Sequence, residues 1–109
     1  MNSEKTFLND EKRAYLKRQL YREIDRVSDT RRKLASLALD MDDLIFRMEE
    51  NFRELMGCSG GSRVLENLYG RFLEDSAAVS QSMQSLDKDF KQKIDGFEVQ
   101  VRQLKRIDG

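Results

Sequence analysis

Gly57-Cys58-Ser59-Gly60-Gly61-Ser62 is the only turn-like cluster in this chain, and it falls almost at the midpoint of 109 residues. Gly57 follows Leu55-Met56 and suits the left-handed position that closes a helix, where a residue without Cβ meets no steric penalty. Ser62 suits the N-cap of the next helix, its hydroxyl accepting an otherwise unpaired backbone N–H. Glu66 comes four residues later rather than three, so no reciprocal capping box is set up. A connection this short joins antiparallel neighbours. The chain has no Pro, and only Gly70 and Gly96 interrupt the stretch beyond the turn. The expected fold is therefore all-α: two long antiparallel helices forming a coiled-coil-like helical hairpin. It is a single domain over residues 1–109, with a helix over about 10–56, a turn at 57–62 and a helix over about 63–107.

The apolar spacing on each side supports this. Before the turn, Leu20, Ile24, Val27, Arg31, Leu34, Ala38, Met41, Ile45, Met48, Phe52 and Leu55 are separated alternately by four and three residues. That is a heptad period of 3.5, the signature of a left-handed coiled coil or bundle. Leu16, Leu37 and Leu44 fall in a flanking column, which widens the stripe beyond a two-stranded seam. After the turn, the stripe is Leu65, Leu68, Phe72, Ser76, Val79, Met83, Leu86, Phe90, Ile94, Phe97, Val101 and Leu104. Its mean period of about 3.55 implies two extra four-residue steps, acting as stutters. The extra Leu column has no counterpart in a lone hairpin, so a further helix is expected to cover it. Such a helix comes from an obligate partner or from self-association.

Arg31 is the one charged member of the first stripe. Folding at Ser59 pairs residue i with roughly 118 − i, which sets Arg31 opposite Asp87 as a register pair. A seam Arg with an acidic partner fixes register more than it adds stability, because removing one member strands the other charge. Asp87→Ala is therefore expected to destabilise the hairpin and Arg31→Leu to leave it intact. Equal losses in a urea titration would contradict the pairing.

Composition excludes most chemistry. The chain is 39% apolar and 37% charged, with 20 basic and 20 acidic residues, and it contains no His or Trp. The absence of His removes the usual general base and the commonest metal ligand. The lone Cys58 leaves no disulfide framework and no CxxC pair, and it fits a reducing cytosol. The glycine-rich turn lacks the Lys-Ser/Thr ending of a phosphate-binding loop. Asp40, Asp42, Asp43, Glu49, Glu50 and Glu54 lack calcium-loop spacing and spread around a helix as a solvated face. No catalytic, cofactor-binding or metal-ligating residue is expected, and an enzyme is not. No segment reaches the roughly 18–20 apolar residues of a membrane span.

Charge is unevenly placed. Nine basic and three acidic residues lie between Lys12 and Lys33, six acidic and two basic between Asp40 and Glu54, and six basic and three acidic between Lys88 and Arg106. A basic open end could suit nucleic acid, but net charge is zero and the only nearby rings on the first arm are Tyr15 and Tyr21. Nucleic-acid binding is not expected. Met41, Met48, Met56 and Met83 punctuate the stripes, filling a core that another chain completes.

Two equal helices around a central turn, in a chain near 100 residues, resemble the WXG-type helical hairpins of Gram-positive type VII secretion. Leu55-Met56-Gly57 occupies the place of their Trp-x-Gly, keeping the glycine and lacking the tryptophan. The chain looks most like the small α-helical proteins associated with LXG toxins, which are similar to WXG proteins and lack that tryptophan. The resemblance implies a non-enzymatic targeting factor, or chaperone. It would bind the helical N-terminal domain of a secreted toxin, with a second small helical partner, and promote export. WXG-type proteins carry a Tyr/Phe-x-x-x-Asp/Glu export signal near the C-terminus. Here Phe90 has Asp95 one residue too far, and Phe97 is followed at the fourth place by Val101. Matches at Phe7/Glu11, Tyr21/Asp25 and Phe46/Glu50 sit on the first arm. The resemblance thus implies the partner without the signal, acting in the cytoplasm or co-exported with its client. Leu16, Leu37 and Leu44 are its expected partner contacts. A self-associating coiled-coil adaptor or scaffold, a homo-oligomer, is the alternative.

Overall fold

The protein is an all-α helical hairpin. A computed structural model describes the backbone of residues 2–108 and the side chains of 10–58 and 60–105. Helix α1 spans Asn2–Ser59 and helix α2 spans Arg63–Asp108, with no strand among the described residues. Long unbroken helices follow from the absence of Pro and from the scarcity of Gly outside the turn.

The turn is shorter than expected. Helix α1 runs on through Gly57 to Ser59, so Gly57 is helical and does not close the helix. The left-handed backbone falls at Gly60 and Gly61, with φ of +66° and +92°. Two successive glycines at positive φ relieve the Cβ clash at both residues that reverse the chain, and Gly57 alone could not. Ser62 stands at the start of α2: its Oγ accepts from the Leu65 N–H at 3.4 Å, and its carbonyl accepts from the Glu66 N–H at 3.0 Å. A Cβ at Gly57 would meet nothing within 4 Å. Gly57→Ala is therefore expected to stabilise the hairpin by about 0.5–1 kcal/mol through helix propensity. Gly60→Ala, strained at its positive φ, is expected to cost about 1–2 kcal/mol. Thermal unfolding of the two variants distinguishes these opposite signs.

Two compact units make up the chain. One combines the segment up to Arg32 with the segment from Lys88 onward; the other is Lys33–Asp87. In the first, Leu20, Ile24 and Val27 on α1, and Phe90, Ile94, Phe97, Val101 and Leu104 on α2, are the shielded apolar positions. Val101, 5% exposed, is the one buried hydrophobic residue among the described side chains. Two helices alone leave a seam rather than an enclosed core, so nearly every other seam side chain is only half-buried.

The second unit contains the turn. Phe52 anchors it, with ring centroids 5.4 Å from Tyr69 (58° between planes) and 5.4 Å from Phe72 (36°). The residue numbers of these contacts sum to 121 and 124, so cross-pairing is centred near 122–123, after Ser59. A loop that begins at Gly60 shifts the pairing in this way. Arg31 and Asp87, the expected register pair, are both half-buried and neither lacks a partner.

The inward-facing positions also differ from a strict heptad. Along α1 the half-buried seam matches the expectation from Leu20 to Ile45, then continues with Glu49, Phe52 and Met56 in place of Met48, Phe52 and Leu55. An α-helix drifts about 20° per heptad against a 3.5-residue repeat, so five heptads accumulate about one residue of rotation. The four-residue step from Ile45 to Glu49 absorbs it. Along α2, Tyr69, Ser80 and Asp87 face inward, and Leu68, Val79 and Leu86 are exposed instead. The α2 seam then has a single stutter, Phe72-Ser76-Ser80, and an even heptad from Ser80 to Leu104.

Candidate interaction surface

The displaced side chains share one position. Within Lys33–Asp87, Leu37, Leu44, Met48 and Leu55 each immediately precede a half-buried residue of α1: Ala38, Ile45, Glu49 and Met56. Leu68, Val79 and Leu86 likewise precede Tyr69, Ser80 and Asp87 of α2. One residue back is a 100° rotation from the seam, to the same flank each time. The helices run antiparallel, which reverses both the winding sense seen from one end and the direction of the seam. The two flanks therefore lie on the same face. With Val64, which precedes half-buried Leu65, eight large apolar side chains on that face form a ledge, with Leu37 52% and Leu44 50% exposed.

The ledge has regular rungs. With pairing centred near 122–123, Leu37 is level with Leu86, Leu44 with Val79, and Leu55 with Leu68; each pair sums to 123. Met48 fills the longer gap on α1. A shallow groove lined by Ala78, Val79, Ser82, Met83 and Leu86 runs along the α2 side. The small side chains of Ala78 and Ser82 keep that side low, so another helix can approach closely.

Leu16, the third expected contact, is 39% exposed and belongs to the other unit. Tyr15, Tyr21 and Val99 are also exposed there, without a comparable run preceding the seam. Met48, Leu55, Leu68, Val79 and Leu86 belong to the ledge although their spacing assigns them to the seam. Accumulated drift of a straight helix relocates Met48 and Leu55; in α2 the seam agrees with the expected stripe at Leu65, Phe72, Ser76, Met83 and Phe90, and only the single positions between them move by one residue.

Charge is asymmetric between the units. Lys33–Asp87 contains five basic and ten acidic residues, a net −5, and the rest of the neutral chain is +5. Few of those acids border the ledge. By the same rule Lys33, Asp40, Arg71 and Asp75, which precede half-buried Leu34, Met41, Phe72 and Ser76, stand on this flank between and beside the apolar side chains, with Arg47 next to them, whereas Asp42, Glu49, Glu50 and Glu66 lie on the seam or the opposite flank. Arg13–Asp10, Arg26–Glu23 at 2.9 Å and Arg47–Asp43 at 3.0 Å are local ion pairs along α1. Such exposed pairs contribute little stability.

Nothing among the described residues forms a metal-ligating cluster, and no helix is long and apolar enough to cross a membrane. Cys58 is exposed and free. The total accessible surface is 8842 Å², about 1.4 times the roughly 6,300 Å² typical of a folded monomer of this mass. Neither a known protein family, nor a curated protein, nor a solved structure matches the chain.

Proposed function

We propose that this protein is a non-enzymatic targeting chaperone that binds the helical N-terminal domain of a larger secreted protein and promotes its export. The carrying observation is the ledge: eight large apolar side chains on one face, in a chain where a single hydrophobic side chain is buried among the described residues. Contiguous apolar surface of several hundred square ångströms marks an interaction site in soluble proteins. Its stripe of rungs matches the i, i+3, i+4, i+7 face of an amphipathic helix, so the fitting occupant is helical. On this reading Leu37 and Leu44 contact the client on the ledge and Leu16 adds a separate contact. The resemblance to LXG-toxin-associated proteins supplies the class of client, a type VII secreted toxin, and a second small helical partner supplies the export signal.

Deleting the gene from its native host and comparing culture supernatant with cell lysate tests the proposal. The client is expected to disappear from the supernatant. Unchanged export would contradict the chaperone and favour the self-associating scaffold.

A further inference from the structure

The rungs make the ledge complementary to itself. We propose that, in the absence of a client, the ledge of one chain is covered by that of a second copy. The two-fold axis lies along the hairpin, so that α1 of each copy stacks on α2 of the other. A rotation about that axis preserves level along the helices. Leu37 then meets the second copy's Leu86, Leu44 meets its Val79, and Leu55 meets its Leu68. The product is a four-helix bundle over Lys33–Asp87 in which every neighbouring helix is antiparallel.

The margins agree with this arrangement. Arg47 and Asp75 have numbers summing to 122, so each Arg47 stands level with the second copy's Asp75. By the same sum, Arg71 is level with Asn51 and Asp40 with Ser82. No like charges face each other along the border, although Lys33–Asp87 as a whole is net negative. An isologous interface requires that residue i meet j and j meet i, and these pairs satisfy it. The exposed surface, well above that of a globular monomer, leaves ample area for the roughly 800 Å² per partner of a standard interface. A client covering the same ledge must displace the second copy, a step that rests on the function proposed above.

The test uses the full chain and two charge reversals, Arg47→Glu and Asp75→Arg, with helicity checked by circular dichroism. Light scattering after gel filtration, loaded at about 100 μM, detects a dimer with Kd on the order of 10 μM. The wild type is expected at twice its 12.8 kDa. Each reversal sets two like pairs face to face and is expected to weaken dimerisation about tenfold or more. An equimolar mixture of the two variants restores complementary pairs at both sites and is expected to recover the dimer. A monomeric wild type, or variants that dimerise alone as well as mixed, overturns the proposal. Either result leaves the export test, which reads a different protein, to judge the chaperone function separately.

Discussion

Replacing Leu37 and Leu44 together with glutamate is expected to abolish binding of the proposed client while both helices remain formed. Both side chains are about half exposed and lie outside the seam, so the hairpin loses little when they change. In a complex each would be fully covered. Covering the exposed half of each contributes about 1 kcal/mol, and an unpaired carboxylate in an apolar contact costs at least as much again. A combined loss above roughly 4 kcal/mol weakens binding about a thousandfold. Titration calorimetry against the client's helical N-terminal region measures the affinity, and far-ultraviolet circular dichroism verifies the fold. Retained affinity would remove the ledge from the interface.

Phe52→Ala has the opposite profile, attacking the fold directly. Phe52 touches both Tyr69 and Phe72 across the seam, holding the register of the unit that contains the turn. Truncating a core Phe costs about 3–5 kcal/mol, and a half-buried ring falls at or below the lower end. Each lost ring pair adds about 0.5–1.5 kcal/mol. A loss of about 3 kcal/mol is a large share of a small domain's stability. Urea unfolding is expected to show a strongly lowered midpoint, whereas Tyr69→Phe, which keeps the ring, stays near the wild type. A Phe52→Ala loss below about 1 kcal/mol would mean that the aromatic contact does not hold the register.

The contrast between these variants shows what can be read from sequence. Two long helices and a central reversal are legible because absent Pro, a heptad stripe and one glycine cluster all point the same way. The exact reversal is less legible. Gly57, Gly60 and Gly61 are equally permissive, and only the backbone shows that the last two take positive φ. The seam is legible up to Ile45 and then shifts by one residue. A strict 3.5 repeat cannot stay on one face of a nearly straight helix for five heptads. That shift put Glu49 inward and moved Met48 and Leu55 outward on α1, and on α2 local one-residue exchanges put Asp87 inward and Leu68, Val79 and Leu86 outward, where an apolar pattern has no reason to place them. Leu37 and Leu44 stood out in the sequence as an extra column. Their alignment with a matching column on α2 required the observed pairing, four to five higher in each sum than folding at Ser59 implies.

The most direct measurement of the central claim, that another helical chain covers the ledge, is affinity purification of the tagged protein from its native host followed by mass spectrometry. Near-stoichiometric recovery of a large protein with a long helical N-terminal region is expected, lost when Leu37 and Leu44 are replaced by glutamate. Recovery of the chain alone, or only with copies of itself, would contradict a client and identify the hairpin as a self-associating scaffold.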